Sequence, residues 1–491
     1  MDWREEYQRK LVSPEEAVKV VKSGDRVFVP LTQNPEILQK ALFKRKDELT
    51  GVRIHTTAPS TDPGWFSEDT PAFQAIIEKH VGYQEGARQG IDSHTVDFLP
   101  LLFSYEFKNI DEGWGHEVRN IDVLVLEVTP PNKQGFVNLG PHVWDKMSMV
   151  RRAAKIIAEV HPDLPWVFGD NNLHVSQIDY FVQGPRYMTW HEVEELIAPF
   201  EPLKRERLVK VVKASRAYIR RALVPRLLEL STEELEVYVR RQGLEEPAPD
   251  VKAIAQYVGE LVRDGDTIQF GTGPAIGWIP RLGVLDNKID LGYHGEMAAR
   301  GIARLVKEGV ITGKRKTVNP GLAVASAWTG CDEDDLEYIA ENPLFFLRPN
   351  EYTNNIGVVA AHDNFVAINT VMSVDLTGQI NGETQIGPRV WSGHGGLPEF
   401  ALGALYSRGG RSLALLPSTA VGGKVSRIMP MFEPGTCVTV PRYAADYVVT
   451  EFGYTRLWGK PFRQRAEDLI GIAHPDFQAE LRREARKLFW P

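Results

Sequence analysis

Glu296 lies in the stretch Leu-Gly-Tyr-His-Gly-Glu-Met-Ala-Ala-Arg-Gly, residues 291–301, framed by Gly292, Gly295 and Met297. Such neighbours offer little polarity to solvate a carboxylate, and the flanking glycines let a ligand approach its backbone closely. Two readings follow from these residues. Glu296 is either a covalent nucleophile or an acidic residue at the start of a helix, favoured there by the helix dipole. Three glycine loops accompany it, at 271–277, 392–396 and 422–424, the last closed by Lys424. Loops of this kind expose backbone N–H groups that cradle phosphates or hold an oxyanion. Gly271, Gly273, Ser392, Gly393, Gly395 and Lys424 are therefore candidates to bind a ligand carrying phosphates and a carbonyl centre.

Other chemistries find less support. Gly271-x-Gly273-x-x-x-Gly277 has one residue too many before its third glycine for a dinucleotide fingerprint, so nothing calls for a nicotinamide or flavin. No Gly-x-Ser-x-Gly elbow occurs, and no second histidine follows His191-Glu192 at zinc-protease spacing. Cys331 and Cys437 lack metal-ligand or disulfide spacing; no metal is expected, and a reducing cytoplasm is the expected home. A net charge of -8 argues against nucleic acid or an anionic membrane as a partner. Neither a leader peptide nor a membrane-spanning run is seen in the sequence.

At 491 residues the chain exceeds what one core supports. Ser13-Pro14-Glu15-Glu16 opens a helix, Gly24-Asp25 turns it, Arg26–Val29 is a strand with Pro30 behind it, and Gln33-Asn34-Pro35 leads to a helix over Glu36–Phe43. The pattern returns 241 positions later: a helix over 251–263, the turn Asp264-Gly265-Asp266, the strand Thr267–Phe270, and a Pro-containing loop into a second helix. This ordered match reads as an internal duplication. Residues 120–128 and 154–160 are nearly continuous apolar strands, as in a parallel sheet buried on both faces. The expected fold is α/β, with two tandem related open α/β domains over 1–184 and 250–491 and a helical insertion over 185–249. Within the insertion, residues 203–221 hold eight Lys or Arg against one Glu. That stretch is read as solvated helices packing on the body or a partner subunit, through Leu208, Val211, Val212, Ile219, Leu223 and Leu227, rather than as a nucleic-acid surface.

Several segments together carry a resemblance to a known family. They are Gly-Tyr-His-Gly-Glu296-Met, Glu351-Tyr-Thr-Asn354, Ser-Gly-His-Gly-Gly396-Leu-Pro-Glu-Phe, Pro-Ser-Thr-Ala-Val-Gly-Gly-Lys-Val-Ser-Arg-Ile, Asp446-Tyr-Val-Val-Thr-Glu-Phe-Gly and Ile472-Ala-His-Pro-Asp-Phe, joined in the first half by Pro130-Pro131 through Gly135, Asn138-Leu139-Gly140 and His174 through Tyr180. The chain resembles the acetyl-CoA hydrolase/transferase family, nearest its 4-hydroxybutyrate CoA-transferase branch, over nearly everything outside 185–249. The resemblance implies a class I CoA-transferase. Glu296 would be the nucleophile that passes through a glutamyl-CoA thioester, and the Asn354 amide and Gly396 N–H would hold the oxyanion. It implies acyl-CoA and small carboxylic acids as substrates and a homodimer as the assembly. An acyl-CoA hydrolase on the same scaffold is the alternative, with a non-catalytic CoA-binding regulator more distant. Two departures stand out: Val421 occupies a place where relatives often have lysine, leaving Lys424 as a substitute, and residues 273–277 lack the asparagines of some relatives.

Overall fold

The computed structural model describes residues 2–31, 35–59, 61–82, 85–113, 120–215, 220–241, 243–328, 330–385 and 387–490. Gln33, Asn34 and Ile219 of the sequence reading lie outside these residues. The chain forms two compact units, one of residues 1–244 with 326–351, the other of residues 245–325 with 352–491.

The first unit is built on a parallel seven-stranded sheet in the order Val96–Leu99, Phe73–Glu78, Val52–Thr56, Arg26–Val29, Ile121–Val128, Ala153–Val160, Tyr180–Gln183. The run Ile121–Val128 is buried at every position but Asp122, as its near-continuous apolar sequence demands of a central parallel strand. In the second unit Gly292–Met297, Thr267–Phe270, Phe365–Thr370, Arg411–Leu415 and Tyr447–Thr450 are parallel neighbours in that order, and Gly453–Arg456 pairs antiparallel with Tyr447–Thr450. Each sheet thus places the earliest of these strands between the next in sequence and a later one, which is the duplication seen in topology. The two Gly-Asp turns are also built alike. Gly24 and Gly265 take left-handed φ values of 82° and 78°. Asp25 Oδ2 accepts from Lys22 N at 2.8 Å, and Asp266 Oδ2 accepts from Arg263 N at 2.6 Å.

Residues 185–249 fold as helices at Trp190–Ile197, Pro202–Lys213, Arg220–Glu229 and Thr232–Arg241, and then the start of Pro249–Leu261. Leu208, Val211, Val212, Val224, Leu227, Leu235 and Val239 join Val193 and Ile197 in one apolar cluster. Ser231 and Glu234 cap each other, Ser231 Oγ accepting from Glu234 N and Glu234 Oε2 accepting from Ser231 N, as the Ser-x-x-Glu spacing predicts. Among the described residues no helix is long and apolar enough to cross a membrane.

Candidate active site

In the second unit the strand Thr267–Phe270 is flanked by Gly292–Met297 on one side and Phe365–Thr370 on the other. The chain therefore leaves its central strand in opposite directions, and the carboxyl ends of these strands border the crevice where open α/β sheets take ligands. Glu296 lies there. It is the fifth residue of the strand Gly292–Met297, and the following helix, Ile302–Lys307, begins six residues later. The reading of Glu296 as a helix-start residue is thereby corrected: the dipole of its own following helix does not explain it. The sequence hid the strand because Gly-Tyr-His-Gly-Glu-Met holds one aromatic, two glycines and no β-branched residue.

Strand alternation places His294 and Glu296 on one face. That face meets the end of the helix Asn350–Thr353 and Asn354 just after it. His294 Nε2 donates to the Thr353 carbonyl at 2.9 Å. Asn354 Nδ2 donates to Glu296 Oε2 at 2.8 Å and to Glu399 Oε2 at 3.2 Å, while Asn354 Oδ1 accepts from Thr353 Oγ1 at 3.1 Å. Thr353, Asn354 and Glu399 are fully buried, whereas Glu296 is partly open to solvent. The amide orientation follows from this donor and acceptor set, because a flipped amide would turn its oxygen toward two carboxylates.

Gly396 completes the group. A Cβ at this position would stand 2.1 Å from Glu296 Oε2 and 2.7 Å from Asn354 Nδ2. Its φ of -87° is open to any residue, so close approach rather than backbone conformation requires glycine here. Gly396 caps the helix Leu397–Tyr406, and Glu399 in the first turn of that helix is the site residue to which the sequence reading gave no role. The sequence carried no distinguishing signal for it, since an acidic residue in a first helical turn is ordinary.

The remaining candidates fall into two sets. Gly271 and Gly273 follow the central strand directly; their Cβ positions would collide with Asn369 Oδ1 at 2.4 Å and Thr370 Oγ1 at 2.5 Å. Asn369 is itself locked in a reciprocal amide pair with Gln269, each N–H donating to the other's oxygen at 3.1 Å. Gly393 and Gly395 take positive φ values of 79° and 54° on the approach to Gly396, and Ser392 Oγ donates to the Gly382 carbonyl at 3.1 Å. Lys424 stands apart. It lies on the exposed turn between the paired strands Thr419–Ala420 and Val425–Ser426, where Val421, Gly422 and Gly423 all have positive φ.

Beneath the strand of Glu296 lies a buried titratable cluster. Burial, then the neighbouring His362 and Lys316, hold the His294 imidazole well below its ordinary range, and burial chiefly pushes His362 down to about 4. Lys316 Nζ donates to the carbonyls of Tyr293 and Leu322 at 2.8 and 2.7 Å, and burial lowers its pKa to about 7. A neutral amine has two N–H groups, enough for both carbonyls. Because the unfolded chain holds the Lys316 proton up to its ordinary pKa and the folded chain releases it near pH 7, stability rises with pH between about 7 and 10. Measured by urea unfolding, the stability of wild type relative to Lys316→Met is expected to rise by on the order of 2 kcal/mol from pH 7 to pH 9, whichever is the more stable at pH 7. A constant difference would contradict the neutral amine.

The second unit thus places a partly exposed glutamate at a strand end, bonded by the Asn354 amide and closely approached by Gly396, in a chain of two parallel α/β units. Profiles of the acetyl-CoA hydrolase/transferase N-terminal and C-terminal domains match residues 1–190 and 333–485. The chain belongs to the acetyl-CoA hydrolase/transferase family and is an enzyme of that family. It is 34% identical to the 4-hydroxybutyrate coenzyme A transferase of Clostridium kluyveri, over 100% of both chains. It is 31% identical to the butyryl-CoA:acetate CoA-transferase of Anaerostipes caccae, over 99% of this chain and 98% of that one. More distantly, an acetyl-CoA hydrolase of Yarrowia lipolytica is 23% identical over 81% of this chain and 71% of its own. The crystal structure of RipA from Yersinia pestis superposes with a TM-score of 0.78 at 28% identity, covering all of both chains.

Proposed function

We propose that the protein transfers coenzyme A between an acyl-CoA and a small carboxylate such as acetate or 4-hydroxybutyrate, by ping-pong catalysis on Glu296. The observation that carries this reading is the Glu296 carboxylate at a strand end, accepting from Asn354 Nδ2 at 2.8 Å against the Gly396 backbone. A Glu296 oxygen attacks the thioester carbonyl, and the C–S bond breaks to give an acyl-glutamyl anhydride and CoA thiolate. The thiolate then attacks the glutamyl carbonyl, forming a glutamyl-CoA thioester and releasing the first acid as its carboxylate. An acceptor carboxylate reverses both steps and leaves Glu296 free. Only a carboxylate nucleophile suits this exchange, since the anhydride conserves the acyl activation without a further energy source.

In this reading the Asn354 amide and the Gly396 N–H stabilise the tetrahedral oxyanions. Gly271, Gly273, Ser392, Gly393 and Gly395 bind the CoA portion, and Lys424 meets its phosphates in place of the lysine absent at Val421. CoA held away from the sulfur supplies binding energy for the covalent step. The relatives support CoA transfer as the outcome; the cysteine usage favours a reducing cytoplasm, and the family resemblance favours a homodimer. Incubation with butyryl-CoA and acetate is expected to yield acetyl-CoA and butyrate with parallel-line kinetics and little free CoA. Free CoA accumulating equally with and without acetate would instead make the protein a hydrolase, with water finishing the cycle on the same glutamate.

A further inference from the structure

Glu399 takes no step in the reaction above, yet it is a carboxylate with no solvent exposure that shares the Asn354 amide with Glu296. Burying a carboxylate is costly unless its charge is met. The N-terminus of the helix Leu397–Tyr406 meets part of that cost, since Glu399 lies in its first turn. What the residue does there is shown by its contact. An amide NH2 has two hydrogens, and Asn354 directs one to Glu296 Oε2 and the other to Glu399 Oε2. Thr353 Oγ1 secures the amide oxygen. Both ends of the amide are therefore held even when the Glu296 oxygen is consumed in a covalent bond, the stage at which the donor must stay on target for the next oxyanion.

We propose that Glu399 is a positioning residue for CoA transfer, binding the second Asn354 amide hydrogen so that the first stays aimed at the Glu296 carboxyl group through the anhydride and thioester stages. This assignment rests on Glu296 being the nucleophile. Burial alone would make Glu399 replaceable by any side chain of its size. Positioning requires an acceptor oxygen, and it requires Asn354 to be present for Glu399 to matter.

The test is a double-mutant cycle on the full chain, read as kcat, as KM for acyl-CoA and as the single-turnover rate of CoA adduct formation, with thermal melts to confirm folding. Glu399→Met, similar in size but without an acceptor, is expected to lower kcat on the order of 10- to 100-fold with KM changed less than about 3-fold. Glu399→Gln keeps an acceptor oxygen and should recover to within about 5-fold of wild type. In an Asn354→Ala background, Glu399→Met should cost less than about 2-fold further, because the residue acts through the amide. Glu399→Ala, which admits water, serves the same cycle if the methionine variant does not fold. Losses that multiply in the double variant, a fully active Glu399→Met, or Glu399→Gln no better than Glu399→Met would each overturn the assignment while leaving Glu296 untouched. Wild-type protein that forms no adduct would overturn the nucleophile reading and this assignment together.

Discussion

Glu296→Ala is expected to reduce CoA transfer by at least about 10⁴-fold while leaving the fold intact, since removing a covalent nucleophile abolishes the pathway it initiates. The residue is well placed for such a clean loss. Its carboxylate is partly solvent-exposed and lies at a strand end, so alanine opens no sealed cavity. Glu296→Asp sharpens the expectation. Shortening the side chain by one methylene withdraws the attacking oxygen by more than 1 Å, and a displacement of that size costs on the order of 10²-fold. A structural carboxylate would tolerate either change with near-normal turnover, and steady-state kinetics on melt-matched variants separates the two cases.

Gly396→Ala should be the next most damaging change, for a reason that separates catalysis from folding. The backbone at Gly396 suits alanine, so no conformational penalty arises. The added methyl would stand 2.1 Å from Glu296 Oε2 and 2.7 Å from Asn354 Nδ2, both ends of flexible side chains. Those groups must move aside, which misaims the nucleophile and its amide donor together. A fall in kcat of about 10²- to 10³-fold is expected, the range seen when one oxyanion donor is lost. The melting temperature should change little, because the two atoms that must move most belong to the site, while the core ring of Phe400, 3.1 Å from the added methyl, need give only slightly. A variant with normal kcat would show that the close approach of Gly396 to Glu296 has no part in turnover; a collapsed melting temperature would show that it serves folding.

Much of the fold could be read from local chemistry. The Ser13 cap, the paired Gly-Asp turns and the strands Arg26–Val29 and Thr267–Phe270 each follow from residue preferences acting over a few positions, and their repetition exposed the duplication. The site was legible only in part. Glu296 stood out through its glycines, but its strand lacks the residues that announce strands, so its position at the end of a parallel sheet depends on neighbours 25 and more positions away. Asn354 and Gly396 entered through resemblance, because the contacts that join them to Glu296 are tertiary and no spacing encodes them. Glu399 was overlooked for the opposite reason: an acidic residue in a first helical turn is so ordinary that its burial against Asn354 could not be anticipated. Lys424 was legible as a basic residue closing a glycine-rich loop, but that the loop is an exposed hairpin tip outside the cluster around Glu296 depends on the strand pairing of Thr419–Ala420 with Val425–Ser426.

The central claim is that Glu296 carries CoA covalently. Intact-mass measurement after incubation with a panel of acyl-CoAs, followed by borohydride reduction and peptide mapping, reads it directly. A mass increase matching a CoA thioester is expected, located at Glu296 by the reduced residue and missing in Glu296→Ala. No adduct with any acyl-CoA, or an adduct that persists in Glu296→Ala, would contradict it.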